Sequence, residues 1–108
     1  MAYNEELAAR LRQHLAPFGE SITEKKMFGG LCYLYKGKMS VGIVKDDLCV
    51  RVIASKEQEE LKKPAVRPMD FTKRPMKEFV FVSADGFESE ADLAHWVNLG
   101  IEHADSKL

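Results

Sequence analysis

The chain has 108 residues, a formal net charge of −1, and 45% hydrophobic and 31% charged residues. This length suits one domain, so a single domain over residues 1–108 is expected, and the composition excludes a disordered or fibrous chain. The balanced total gives no reason to expect a blanket electrostatic partner such as non-specific DNA.

The near-zero total conceals an uneven distribution of charge along the chain. Residues 24–77 carry thirteen basic and seven acidic side chains, a net of +6, whereas residues 78–108 carry one basic and seven acidic side chains, a net of −6. This split can be satisfied within the fold, between two copies, or by an acidic partner, and the sequence leaves the three open.

The first half of the chain predicts one helix and four strands. Asn4 is the expected N-cap, leucines recur at helical spacing after it, and Pro17 with Gly19 ends the helix. The predicted strands are Ile22–Phe28, Leu31–Tyr35, Met39–Lys45 and Leu48–Ile53. Because turns of two or three residues join them, they must pair as an antiparallel meander.

The second half predicts a short helix, a loop, a strand and a long helix. Ser55 and Gln58 form a capping box for the short helix, and the loop spans Lys62–Lys77. Glu78–Ser83 reads as an interior strand covered on both faces. Ser89 caps the last helix, which carries the clearest apolar stripe in the chain.

These elements predict an α+β fold with two layers. An antiparallel meander of four strands and a fifth strand form the sheet, and helices at the N-terminus, middle and C-terminus cover one face. The sheet has more apolar side chains than one helical layer would cover, as the Phe79–Val82 run shows. This surplus favours a homodimer that buries the second face.

No motif for an enzyme, a cofactor or a metal is present. The chain lacks phosphate-binding glycine motifs, H-E-x-x-H and C-x-x-C, so we expect no catalytic residue, no cofactor and no metal site. An enzyme would need an unrecognised acid–base pair in a pocket. We interpret His95 and His103 as solvated helix residues, and Cys32 and Cys49 as reduced, buried thiols.

The sequence shows no export or membrane signal. The N-terminal residues have no signal-peptide pattern, and no apolar run approaches the ~20 residues of a membrane span. A cytoplasmic location without membrane contact is therefore the default expectation.

Two candidate sites lie on the predicted strands. Lys26 precedes Gly29-Gly30, which forms either a strand-to-strand turn or a nest of backbone N–H groups facing a ligand. Arg51 shares a strand face with Cys49, so it is not expected to be freely exposed. Its guanidinium needs an acceptor, which is either an internal partner such as Asp70, or an anion or partner protein.

The predicted loop is the third candidate site. It holds six basic residues and one acid, with the motif Arg-Pro-Met occurring twice, and its candidate binding residues are Arg67, Lys73, Arg74 and Lys77. The loop is either a rigid connector with solvated charges or a basic surface for an acidic partner or phosphate. Direct nucleic-acid binding by so few charges would be weak and salt-sensitive. A second hypothesis is an anion or small-ligand site in which Lys26, Arg51, Arg67 and Arg74 converge near Gly29-Gly30.

Taken in order, the motifs resemble the N-terminal domain of the TfoX/Sxy family over residues 3–105. The motifs that carry the resemblance are Lys26-Met27-Phe28-Gly29-Gly30, Gly37-Lys38-Met39, Leu48-Cys49-Val50-Arg51-Val52, Arg67-Pro68-Met69-Asp70-Phe71, Arg74-Pro75-Met76 and Leu93-Ala94-His95-Trp96-Val97. The resemblance implies a curved antiparallel sheet similar to secretion-chaperone-like domains. It also implies kinship with competence regulators that act with the cyclic-AMP receptor protein, here in a stand-alone form without their helical C-terminal domain.

The resemblance supplies no catalytic residues. The leading hypothesis is therefore a non-enzymatic, cytoplasmic protein-interaction module tied to transcription or competence, with a protein partner that could belong to the transcription machinery.

Overall fold

The structure, a computed structural model, describes residues 3–27, 29–69 and 76–108, without the side chains of Met27, Met69, Met76 and Lys77. Three α-helices are present in these residues: α1 (Glu5–Leu15), α2 (Ala54–Leu61) and α3 (Glu90–Ser106). None of the helices in the described ranges has the length and apolar character needed to cross a bilayer.

Six antiparallel strands of the described residues form one open sheet. They are β1 (Ile22–Met27), β2 (Gly30–Tyr35), β3 (Lys38–Val44), β4 (Asp47–Arg51), β5 (Val66–Met69) and β6 (Met76–Val82). The order across the sheet is β1-β2-β3-β4-β6-β5. The α+β class, the meander and the interior position of the predicted last strand, which is β6, are confirmed, whereas the number of strands is six rather than five.

The predicted loop Lys62–Lys77 is wrong over part of its length, because β5 lies inside it. Val66–Met69 pairs with β6 at the sheet edge. Pro68 concealed this strand, since proline removes a backbone donor and suggests a loop, yet an edge strand tolerates it. The segment 70–75 lies outside the described residues.

The predicted N-terminal caps are confirmed for α1 and α3 but not for α2. The Asn4 side chain accepts a hydrogen bond from the Leu7 N–H at 3.0 Å, and Ser89 Oγ accepts one from the Asp92 N–H at 3.0 Å, so both predicted caps are confirmed. The capping box at Ser55 is wrong. The short connection from β4 starts α2 at Ala54, which leaves Ser55 inside the helix without a capping bond.

The main core lies between one face of the sheet and all three helices. Leu11 of α1, Leu93 of α3 and Val50 of β4 are fully buried there, and Leu61 of α2 packs against them. Gly100 brings α3 very close to β3, because a Cβ atom at this position would lie 2.5 Å from the carbonyl oxygen of Ser40. The register of α3 on the sheet is therefore set by a glycine.

A smaller buried cluster occupies the opposite face of the sheet. Cys49, Phe79 and Phe81 form it, and their exposures are 1%, 2% and 7% within a single chain. Among the described residues, Leu108 is the only large hydrophobic side chain that is exposed. The surplus of apolar sheet residues that favoured a homodimer is thus already buried, so that argument for a dimer is wrong.

The two cysteines are free and buried, as the sequence predicts. Burial raises the pKa of the Cys32 thiol to about 11, and it also raises the pKa of Cys49. Both thiols therefore stay protonated at neutral pH, which makes them structural rather than nucleophilic.

Candidate functional site

A basic cleft lies where β3 begins, β4 ends and α3 ends. Its volume is about 410 Å³, and its lining consists of Lys38, Met39, Arg51, His103 and Lys107. Four of the five lining side chains are basic types. We call this set the basic cleft.

Arg51 is the half-buried cation of the basic cleft. Its guanidinium carbon lies 4.8 Å from the ring centre of Phe79, and its Nη2 donates to Nε2 of His103 at 3.3 Å. No carboxylate of the described residues comes within 4.0 Å of it to form an ion pair. Burial lowers the pKa of Arg51, and the charges of Glu78 and Glu57 oppose this only in part. The prediction that Arg51 is not freely exposed is confirmed, while its suggested partner Asp70 lies outside the described residues.

His103 is buried, with 3% of its surface exposed, so its interpretation as a solvated histidine is wrong. Burial, followed by the nearby charge of Arg51, lowers the pKa of His103. A neutral imidazole that accepts from Arg51 at Nε2 carries its proton on Nδ1. Nδ1 is buried and has no hydrogen-bond partner among the described residues.

Glu78 is a carboxylate that closely faces the basic cleft. Its Oε1 lies 3.3 Å from Nε2 of His103 and 3.7 Å from Nζ of Lys107. Its backbone has a φ of 61°, and its N–H donates to Oε2 of Glu57 at 2.6 Å, which holds this strained residue in place. Among the described residues, the three cations Lys38, Arg51 and Lys107 face Glu78, and the charge of Glu57 also acts on Arg51, which leaves a net charge of about +1 at neutral pH.

Lys26 does not meet Arg51. Lys26 pairs across the strands with Leu31, which belongs to the helix-covered face, whereas Arg51 pairs with Phe79 on the opposite face. Directly paired residues point to the same side of a sheet, so the two cations lie on opposite sides. The predicted convergence of Lys26 with Arg51 is therefore wrong, while Arg74 lies outside the described residues.

The two glycines after Lys26 serve the sheet. Gly29 has a φ of 73° in the turn between β1 and β2. Gly30 is buried, and a Cβ atom there would clash with the carbonyl oxygen of Ile43. This geometry supports the interpretation as a strand-to-strand turn, because Gly29 makes the turn and Gly30 allows β2 and β3 to pack closely.

Arg67 is held by the fold itself. Its guanidinium carbon lies 4.8 Å from the ring centre of Phe81, and its Nη2 donates to Oδ2 of Asp47 at 2.6 Å. Of the other loop candidates, Lys73, Arg74 and the side chain of Lys77 lie outside the described residues, so their role stays a prediction.

An acid–histidine pair does occur elsewhere, between α2 and α3. Oε1 of the buried Glu60 accepts from Nζ of Lys63 and contacts Nε2 of His95, both at 2.8 Å. Burial works to raise the pKa of Glu60, but these two bonds outweigh it and lower the pKa. Lys63 also lies 5.1 Å above the Trp96 ring. Oε1 of Glu60 is shared by Lys63 and His95, so this group ties α2 and the residues that follow it to α3.

Sequence reasoning missed three of the four basic residues of the basic cleft. His103 follows Trp96 by seven residues and Gly100 by three, so its position on the buried stripe of α3 was readable. Lys107 is one turn further on the same side of α3. Nothing in the sequence links either residue, or Lys38, to Arg51, because the contact depends on how α3 crosses the sheet.

These features define a small α+β domain with helices on one sheet face and a basic cleft at one end. The model of the TfoX N-terminal domain family matches residues 13–104. The chain belongs to this family, as its motifs predict, and the match includes Arg51 and His103. No curated protein matches the chain.

Proposed function

We propose that this domain is a non-enzymatic interaction module that binds an acidic partner protein through the basic cleft. The observation that carries the proposal is the half-buried Arg51, which has no ion-pair partner among the described residues. An arginine held this way suits a carboxylate or phosphate, because its planar fork pairs with both. Complementary charge also directs the encounter of two proteins.

The acidic last helix does not neutralise this cleft. Its glutamates pair with other helices instead: Glu90 contacts Arg10 of α1 at 2.8 Å, and Glu102 contacts Lys56 of α2 at 2.9 Å. The Glu102–Lys56 pair joins the acidic segment 78–108 to the basic segment 24–77, so part of their opposite charge is satisfied within the fold. The positive charge of the basic cleft remains available for a partner.

A protein is the better candidate than a nucleic acid. The basic cleft offers three cations, and contacts to so few phosphates would give weak binding that falls steeply with salt. An acidic segment of a protein needs only one or two carboxylates to use Arg51 and the nearby lysines.

Family membership supports a regulatory setting. We propose a role in transcription or competence in the cytoplasm, with the transcription machinery as the source of the partner. The buried, free thiols of Cys32 and Cys49 agree with a reducing compartment. The absence of catalysis is part of the proposal.

The experiment is affinity capture from the native host, followed by purification of the captured protein and measurement of its affinity. We expect the Lys38→Glu/Lys107→Glu variant to bind at least about tenfold more weakly, because charge reversal repels an acidic partner. Lys25→Glu/Lys62→Glu is the matched control, since both lysines are exposed and lie outside the cleft.

A Lys73→Glu/Arg74→Glu/Lys77→Glu variant tests the loop that the sequence singled out. Equal binding by the cleft variant and the control would contradict the proposal. If only the loop variant loses binding, the interaction surface is the loop and not the basic cleft.

A further inference from the structure

We propose that the basic cleft is a binding site for a phosphate group. The inference rests on the proposed function, because it names the chemistry that the cleft recognises. The positive charge of the cleft suits a phosphate, because a phosphate presents three acceptor oxygens to donors on different walls, whereas a carboxylate presents two. The cleft, at about 410 Å³, has room for a phosphate and for the group that carries it.

Arg51 is prepared to meet such an oxyanion. Stacking on Phe79 and the bond to His103 fix the plane of the guanidinium. Among the described residues, no acceptor contacts Nε or Nη1, and Nη2 has a second N–H beyond the one that faces His103, so one parallel pair of donors remains for two phosphate oxygens. A guanidinium that is already held in one orientation loses little conformational entropy when a ligand binds, which favours binding of a small ligand.

Lys38 and Lys107 complete the charge on the walls of the cleft. Lys38 enters from β3 and Lys107 from α3, while Glu78 of β6 draws on Lys107 from 3.7 Å. A loose contact at this distance between two partly exposed groups is weak. A bound dianion can therefore replace Glu78 as the main counterion of Lys107.

His103 links the site to pH. It lies against Arg51 of β4 and Glu78 of β6, with Lys107 on its own helix. A bound anion adds negative charge beside the imidazole, which favours protonation. Binding of sulfate, whose charge is constant near neutral pH, should therefore strengthen as the pH falls from 7 to 6.

The test is calorimetric titration of the full chain with inorganic phosphate and, separately, sulfate. We expect saturable binding with a dissociation constant of about 1 mM. Lys38→Gln/Lys107→Gln should weaken it by at least about tenfold, and so should Arg51→Gln. The two lysines are exposed, so the first variant keeps the test valid if Arg51→Gln fails to fold. Lys25→Gln/Lys62→Gln has the same charge change outside the cleft and should bind like the original chain.

Two further experiments distinguish the possible sources of the phosphate. If phosphatase treatment of the captured protein abolishes its binding, the phosphate is carried on that protein. If treatment has no effect and inorganic phosphate competes with the protein, the ligand is a free or small-molecule phosphate.

The outcomes also separate this inference from the proposed function. Absence of saturation by either anion at tens of millimolar, with the captured protein still dependent on Lys38 and Lys107, overturns the phosphate site and keeps the interaction module. Cleft-dependent phosphate binding without any cleft-dependent protein supports the phosphate site and removes the interaction module. Equal anion binding by the cleft variant and the control overturns the inference as well.

Discussion

Arg51 and Arg67 make the same contact with the sheet but differ in what faces their charge. Each guanidinium carbon lies 4.8 Å from a phenylalanine ring of β6, Phe79 for Arg51 and Phe81 for Arg67. Arg67 also contacts Asp47 at 2.6 Å, whereas Arg51 has no such carboxylate among the described residues. Stacking therefore positions both arginines, and a neighbouring acid decides which one the fold already uses.

This difference explains why composition is a poor guide to the site. The loop appeared to be the centre of positive charge, yet its described arginine, Arg67, is neutralised within the fold. The strand arginine, Arg51, has a single neutral side chain as its hydrogen-bond partner. A basic residue becomes a candidate binding group when its counterion is missing, and that property is visible only in three dimensions.

The largest expected effect comes from displacing α3 from the sheet at Gly100. In Gly100→Ala, the new methyl group would lie 2.5 Å from the Ser40 carbonyl oxygen, so α3 must move. We expect a loss of about 2 kcal/mol in the free energy of unfolding, because a packed core accommodates an added carbon poorly. Urea denaturation measures it.

The same variant should also abolish phosphate binding while the Arg67–Asp47 pair stays intact, since α3 carries His103 and does not contact that pair. Asn98→Ala is the matched control, because Asn98 is an exposed residue of α3. A change of less than about 0.5 kcal/mol in Gly100→Ala would contradict the close packing of α3 on β3.

A smaller effect is expected for the coupling energy between each arginine and a neighbouring acid, which a double-mutant cycle measures. The Arg67 and Asp47 side chains are 48% and 32% exposed, so their coupling should be about 0.5–1 kcal/mol and should fall at high salt. Arg51 and Glu78 form no ion pair within 4.0 Å, and only the longer-range charge of Glu78 acts on Arg51, so their coupling should be clearly smaller. Equal coupling in the two cycles, measured by urea denaturation, would remove the distinction on which the basic cleft rests.

The smallest expected effect is a pH dependence of stability that comes from His103. Folding lowers the pKa of His103 below its ordinary value of 6.5, so the unfolded chain binds more protons in this range. The contribution of His103 to stability is therefore complete above pH 6.5 and is lost as the pH falls below it. Thermal unfolding between pH 7.5 and 5 should show a smaller decline in His103→Gln.

The same decline in His103→Gln and in the original chain would show that another group controls this pH range. It would also weaken the case for a neutral His103 beside Arg51.

Much of the fold could be predicted because its signals are local. Asn4 and Ser89 have cap chemistry, and short turns force neighbouring strands to pair antiparallel. The edge strand β5 escaped prediction because Pro68 imitates a loop, and only its pairing with β6 reveals a strand. Ser55 misled for a similar reason, since the short connection from β4 starts α2 one residue before it.

The candidate site was predicted only in part. The face of Arg51 followed from strand alternation, so its partial burial was expected. Its contact with His103 joins residues 52 positions apart and depends on the path of α3 over the sheet. Such contacts are set by packing rather than by local pattern, so no spacing rule could reveal them.

One measurement tests the central claim most directly: NMR detection of the arginine side-chain Nε–H signals during a sulfate titration. We predict that the Arg51 signal shifts saturably with sulfate, while the Arg67 signal, held by Asp47, stays nearly constant. If Arg51 does not respond, or if both arginines shift together without saturation, Arg51 is not an available anion-binding group and the account of the basic cleft is wrong.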